Sequence, residues 1–141
     1  LRFLSDAERD CLLAACLEIS GVRLHGLVIL ALATGARRGE LLALRWSDID
    51  LRARIVTLGR SARSGGRPLP LPAAAVETLR PLAKVRRIGG DEIFADASGR
   101  VGFPRRQWEA ALREAGLEDF RFHDLRHSAA AYLAEGGKPQ G

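Results

Sequence analysis

The spacing of apolar residues predicts that the N-terminal part of the chain is helical. Ser5 is followed three residues later by Glu8, which is a capping-box pattern. The apolar side chains that follow recur at helical spacing, at Leu12, Leu13, Cys16 and Leu17. A first helix is therefore predicted over about residues 6–19.

Two further apolar segments follow. Residues 23–35 form a nearly continuous apolar run that ends at Thr34-Gly35, and residues 36–46 resume helical spacing. We expect the helices formed by these two segments to provide the core.

The period of the pattern changes after residue 51. Residues 53–58 and 67–72 are typical of short strands, and the Gly- and Ser-rich stretch between them predicts a hairpin with basic residues at its tip. Residues 91–94 predict a third strand, and residues 73–85, 103–116 and 121–133 predict helices. The expected fold is mainly α with a small antiparallel β-sheet (α+β).

Length and charge limit the class of protein. With 141 residues, one domain is expected, and no apolar run approaches the ~18 residues of a membrane span. The formal net charge is +5, and only Lys84 and Lys138 are lysines among the 22 basic residues. Since arginine matches phosphate geometry, this excess favours a polyanionic partner, although a coding bias toward arginine would also explain the Lys:Arg ratio. Cys11 and Cys16 match no metal or redox spacing and are expected to be reduced core residues.

The last predicted helix carries charges that a core helix would not choose. His123, Asp124, Arg126 and His127 lie within an otherwise apolar stretch, where burial of unpaired charge is costly. Arg37 follows the Thr34-Gly35 break at the start of a helix. Metal-free phosphodiester cleavage needs a nucleophile and neutralisation of the charge on the non-bridging oxygens, which two arginines can supply. It also needs an acid/base, which a histidine and a lysine or arginine can supply. No cluster with metal-ligand spacing is present, so no metal or cofactor is expected.

Two motifs make this chemistry more specific. The stretch TGARRGELLALRWSDIDL (34–51) and the stretch HDLRHSAAAYL (123–133) are similar to the two signatures of the tyrosine recombinase (phage integrase) family, in the same order. The resemblance covers nearly the whole chain and implies a tyrosine recombinase catalytic-core fold.

The resemblance also implies roles for individual residues. Arg37 and Arg126 match the two arginines that clamp the scissile phosphate, and His123 matches the acid/base histidine. Glu40 is expected to hold the Arg37 guanidinium, and His127 is expected to have a structural, supporting role. Two nearby residues, Asp124 and Arg38, are expected to be solvated or to contact the phosphate backbone. Leu125, Ala129, Tyr132 and Leu133 are expected to anchor the last helix in the core.

The chain departs from the family pattern at two places. The family carries a lysine in the hairpin, and Arg63 stands nearest to that position, with Arg60 as the alternative. Tyr132, the only tyrosine in the chain, is expected to be a packing residue, so no nucleophile is predicted within residues 1–141. The chain is accordingly expected to be a single catalytic-core fragment, inactive alone, without an N-terminal DNA-binding domain and without the C-terminal nucleophile segment.

The resemblance implies a cytoplasmic, nucleoid-associated site-specific DNA recombinase or integrase of a phage or mobile element. It would act on double-stranded DNA through a 3′-phosphotyrosyl intermediate, as a homotetramer on two duplexes, whereas the fragment alone would be monomeric. Three alternatives remain open: a degenerate DNA-binding module without catalysis, a type IB topoisomerase-like enzyme, and a basic helical interaction domain.

Overall fold

The computed structural model of the chain describes residues 3–60, 65–86 and 88–134. The helices in this part of the chain are α1 (Asp6–Ser20), α2 (Val22–Thr34), α3 (Arg38–Leu42), α4 (Ala73–Lys84), α5 (Arg105–Ala115) and α6 (Leu125–Ala134). The strands are β1 (Ile49–Asp50), β2 (Ile55–Leu58) and β3 (Arg67–Pro70). Short 3-10 turns precede β1 and α6, at Trp46–Asp48 and Phe122–Asp124. The predicted fold class, mainly helical with a small antiparallel sheet, is confirmed.

The capping box at the start of α1 is formed as the sequence predicts. The Glu8 N–H donates to Ser5 Oγ at 3.1 Å, and the Ser5 N–H donates back to Glu8 Oε1 at 2.9 Å. Two N–H groups that the first helical turn would leave without a partner are thereby satisfied.

The most apolar helix, α2, lies at the centre of the domain and packs against α1, α4 and α6, while α1 also packs against α5. The approach of α2 to α4 is close at Gly26, where a Cβ atom would lie 2.5 Å from Leu82 Cδ1. Because nine residues of α2 are buried, this helix supplies much of the core that holds the other elements in place.

The sheet differs from the prediction in its third strand. Its order is β1-β2-β3 and all pairs are antiparallel, with Val56 opposite both Ile49 and Leu69. Residues 91–94 were predicted as a strand, and this is wrong: Glu92 forms an isolated bridge with Arg45. The segment instead pairs briefly with the chain that follows α3, an arrangement that local sequence does not encode.

Two predicted helices are shorter than expected. The helix predicted over residues 36–46 is limited to α3, and the helix predicted over 121–133 begins at Leu125, after the 3-10 turn. In both places a carboxylate three residues further along the chain accepts a backbone N–H, from Arg45 to Asp48 at 3.0 Å and from Arg121 to Asp124 at 2.9 Å. These local bonds stabilise tight turns in place of regular helix.

Candidate functional site

An open cleft of about 610 Å³ lies where three segments meet. One wall is the turn between α2 and α3, another is the beginning of α5, and the third is the segment that leads into α6. The polar and charged side chains that line it are Arg37, Arg38, Arg105, Glu109, Arg121, His123 and Arg126. Six of these seven are arginine or histidine, so the cleft is suited to an anion.

The cleft contains the three residues that the sequence motifs single out. Arg37 and His123 are exposed and Arg126 is half-buried, and all three side chains line this cleft. The structure therefore brings together side chains from two segments that, in the described chain, are separated by three helices (α3–α5) and three strands (β1–β3). The two motifs assign these three residues to one phosphate site, and the structure places all three along one cleft. Their catalytic roles stay predictions.

Arg126 is oriented by a backbone carbonyl. Its Nε donates to the carbonyl oxygen of Gly35 at 2.8 Å, which ties the first turn of α6 to the end of α2. Gly35 itself has a left-handed backbone (φ +67), and its N–H donates to the Ala31 carbonyl to close α2. Since Nε is engaged, the two terminal nitrogens of the guanidinium are the ones that can serve an anion in the cleft.

The turn that carries Arg37 is stabilised locally. The Ala36 N–H donates to Thr34 Oγ1 at 3.1 Å, and the Arg37 N–H donates to Glu40 Oε1 at 3.1 Å. The expectation that Glu40 holds the Arg37 guanidinium needs correction, because its carboxylate meets the backbone of Arg37. The other oxygen, Oε2, accepts from Arg67 Nη1 at 3.1 Å, which links the turn to β3.

The electrostatics of Glu40 follow from these contacts. The hydrogen bond from the Arg37 backbone and that from the Arg67 side chain lower the pKa of the carboxyl, so it is held in its ionised form. Glu40 therefore supports the position of Arg37 through the main chain.

His123 lies in the 3-10 turn before α6, at the edge of the cleft. The ring of His127 packs edge-on to it, with ring centroids 6.2 Å apart. His127 is half-buried and also contacts the ring of Phe3. Its supporting role stays a prediction.

Asp124 and Leu133 are placed differently from the expectation. Asp124 was expected to be solvated or near the phosphate backbone, but it is buried (4% exposed) and caps the turn through the Arg121 N–H. Leu133 was expected to anchor α6 and is instead 44% exposed, whereas Leu125, Ala129 and Tyr132 are buried.

An aromatic floor lies beneath the charged side chains, and the sequence alone did not reveal it. The rings of Phe103 and Trp108 pack against Phe122, with centroid distances of 5.2 and 5.3 Å. The guanidinium of Arg38 lies over the Phe103 ring at 4.6 Å, and that of Arg105 lies at 5.8 Å from it. Such contacts hold an arginine in place while its charge stays available. The proline before α5 and its two adjacent arginines were the only available signal.

The two hairpin arginines and Tyr132 complete the set of candidate residues. Arg63, the predicted substitute for the family lysine, falls outside the described residues. Arg60, the alternative, lies in a separate depression, where its Nε donates to Asp48 Oδ1 at 2.7 Å. Tyr132 is 1% exposed, and burial raises the pKa of its phenol. Its predicted packing role is confirmed.

The cysteines follow the prediction in part. Cys16 is a core residue, and burial raises the pKa of its thiol to about 12. Cys11 is exposed, so the expectation that both are core residues is wrong for Cys11. Within the described ranges no three His, Cys, Asp or Glu side chains are grouped as a metal site would need. Across the same ranges, no helix has the length and apolar character required to cross a membrane.

Comparison with known proteins identifies the family. The model of the phage integrase family matches residues 2–140. The chain belongs to the phage integrase family. The shufflon-specific DNA recombinase of Escherichia coli, a relative, is 33% identical over 136 residues, which cover 96% of this chain and 33% of that protein.

Solved structures of a recombinase and of an integrase are similar to this chain in fold. The crystal structure of XerA recombinase superposes with a TM-score of 0.77 at 25% identity, covering 98% of this chain and 51% of that one. A λ integrase tetramer bound to a Holliday junction gives a TM-score of 0.70 at 26% identity, covering 96% of this chain and 42% of that one. The chain spans about a third of the length of the curated relatives it matches.

Proposed function

We propose that this chain is the catalytic core of a site-specific DNA recombinase that cuts and rejoins strands without metal or cofactor. The observation that carries the proposal is the convergence of Arg37, His123 and Arg126 on one open cleft. Membership of the phage integrase family supports the same reaction class.

The proposed reaction is a transesterification at the phosphorus of a DNA phosphodiester. A tyrosine hydroxyl attacks the phosphorus of the scissile phosphate, the bond from phosphorus to the 5′ oxygen breaks, and that oxygen takes up a proton. The product is a 3′-phosphotyrosyl link and a free 5′-OH, and reversal with a new 5′-OH rejoins the strand. Arg37 and Arg126 neutralise the non-bridging oxygens, which lowers the barrier because charge accumulates there in the transition state. His123 exchanges the proton at the cleft.

The nucleophile is proposed to come from protein outside residues 1–141. Tyr132, the only tyrosine, is buried against the core and carries the Arg9 guanidinium 5.5 Å above its ring. On this proposal the chain alone does not cleave DNA. Arg63 would supply positive charge near the leaving oxygen in place of the family lysine; a guanidinium donates protons poorly but stabilises charge.

Double-stranded DNA is the proposed partner in the cytoplasm. The net charge of +5 and the arginine-lined cleft suit the phosphate backbone. Four copies of the intact protein on two duplexes would perform recombination, and the λ integrase tetramer on a Holliday junction supports this assembly. An N-terminal DNA-binding domain in the intact protein would add sequence preference, whereas this chain alone would be a monomer.

A cleavage assay on the intact protein tests the proposal. The substrate is a duplex with a nick near the cut site, which traps the covalent intermediate because the short fragment beyond the break diffuses away. We expect a covalent protein–DNA adduct, which Arg37→Ala abolishes and Arg113→Ala, at an exposed position in the last turn of α5, retains. An adduct that Arg37→Ala leaves intact would overturn the assignment of the cleft.

DNA-binding and supercoil-relaxation assays on the same intact protein, beside the cleavage assay, separate the alternatives. DNA binding with no adduct from the wild-type intact protein would indicate a binding module. Relaxation of a single supercoiled duplex without strand exchange would indicate a topoisomerase. An absence of any DNA binding would leave a basic interaction domain.

Binding by this chain alone is a separate test. We expect roughly micromolar or weaker affinity for duplex DNA, falling steeply with salt because phosphate contacts release counterions. Fluorescence anisotropy of a labelled duplex between low and physiological salt measures the slope. Salt-independent binding would contradict a backbone clamp.

A further inference from the structure

Three aromatic rings form a row from the segment before α1 to the cleft. The Phe3 ring lies 5.9 Å from the ring of His127, with 62° between their planes. The His127 ring lies 6.2 Å from that of His123, with 86° between planes. Both pairs adopt the edge-to-face geometry that aromatic rings prefer.

The beginning of this row is fixed to α6. The backbone N–H of Leu4 donates to Ser128 Oγ at 3.2 Å, and Ser128 is buried (6% exposed). Ser128 is the next residue after His127, so the bond holds the Phe3–Leu4 segment beside the His127 ring. Leu4 also packs against the core, which adds a second anchor to the same segment.

His123 benefits from such a neighbour because its own side chain is exposed on a short 3-10 turn. An exposed side chain samples several rotamers, and a group that exchanges a proton in a reaction must be held near one geometry. The edge of the His127 ring restricts the space open to the His123 ring.

We propose that Phe3 and His127 are positioning residues for His123, so that the segment before α1 is part of the recombinase site. This inference rests on the proposed function. Neither side chain lines the part of the cleft formed by the two arginines; both act through the orientation of the His123 ring.

The experiment is a double-mutant cycle in the intact protein, read out as the single-turnover rate of adduct formation at saturating DNA. Phe3→Leu and His127→Leu remove a ring while keeping an apolar side chain, and we expect each to lower the rate roughly 3- to 10-fold, with DNA affinity unchanged. His127→Phe keeps a ring in place, and it should restore most of the rate.

The decisive comparison uses the His123→Ala background. Residues that act through His123 have no further effect once it is removed, so Phe3→Leu should then leave the rate unchanged. Leu133→Ala is the matched control, because Leu133 is an exposed apolar side chain at the other end of α6. It should leave the rate at the wild-type level.

The possible failures are distinguishable. If His123→Ala itself leaves cleavage unchanged, the proposed role of His123 in the reaction fails. If His123→Ala lowers the rate but Phe3→Leu does not, or if the effect of Phe3→Leu persists in the His123→Ala background, this inference is overturned and the proposed function stands. A melting curve for each variant shows that the protein remains folded.

Discussion

Replacement of Arg126 by lysine separates the charge of this residue from its geometry. In the structure Nε is bonded to the Gly35 carbonyl, and the terminal nitrogens remain for the phosphate. A lysine keeps the positive charge but has a single nitrogen. Its three N–H donors share that one nitrogen, so it cannot reproduce both the bond from Nε to Gly35 and a bidentate contact from two separate nitrogens to the phosphate.

The two losses have different sizes. A hydrogen bond from a charged group contributes about 1.5–3 kcal/mol to stability. Because Arg126 is half-buried and water partly replaces the lost bond, we take about 1 kcal/mol for the bond to Gly35. For a domain of this length that corresponds to roughly 3–5 °C in Tm. Loss of a donor aimed at a developing oxyanion costs on the order of 100-fold in rate.

We therefore expect Arg126→Lys to lower the cleavage rate of the intact protein at least about 100-fold, with a Tm no more than roughly 5 °C below that of the wild type. Thermal melts, duplex affinity at two salt concentrations and single-turnover cleavage measure the three quantities. Arg113→Lys, the same change at an exposed position in the last turn of α5, should alter none of them.

Either of two results would refute the reasoning. Wild-type cleavage by Arg126→Lys would show that the guanidinium fork is not required. Unfolding of both Arg126→Lys and Arg126→Ala at ordinary temperature would show that Arg126 is a structural residue.

Three further predictions concern stability and reactivity. Glu40→Gln should lower the free energy of unfolding by less than about 1 kcal/mol at pH 7. Because the pKa of Glu40 is lowered in the folded state, its contribution to the free energy of unfolding is complete above the unfolded-state pKa of ~4.3 and is lost as the pH falls through the folded-state pKa. Urea titrations of the wild type and the variant at several pH values measure this, and a stability difference that grew in acid would contradict it. Gly26→Val should destabilise the fold by about 1–3 kcal/mol through overpacking against α4. Gly39→Ala should stabilise it by up to ~1 kcal/mol, because a Cβ at Gly39 meets nothing within 4 Å. Chemical denaturation of both variants measures the two changes. Ellman's reagent should titrate one thiol, Cys11, in the native chain and also Cys16 in denaturant, and rapid reaction of two native thiols would contradict the burial of Cys16.

The sequence by itself determined the elements whose signals are local. The capping box and the apolar spacing after it predicted α1 to within one residue, since both act through neighbours three and four positions away. The two motifs likewise identified Arg37, His123 and Arg126 as a set, because the order and spacing of residue types resembled a known family.

Only the tertiary structure decided which side chains meet. Residues 91–94 have the composition of a strand, yet they pair with the chain after α3 by an isolated bridge, because strand pairing depends on a partner distant in sequence. Glu40 was close enough in sequence to reach the Arg37 guanidinium, but its carboxylate lies between the Arg37 backbone and Arg67 on β3.

The cleft itself is a product of packing. No local pattern indicates that Phe103 and Trp108 will form its floor beneath the arginines, or that the Gly35 carbonyl will orient Arg126. Those contacts arise because α2 is apolar on nearly all sides, so that α1, α4 and α6 pack against it. This packing places the end of α2 next to the start of α6. Local sequence fixes the helices, whereas burial of their shared apolar surface fixes the site between them.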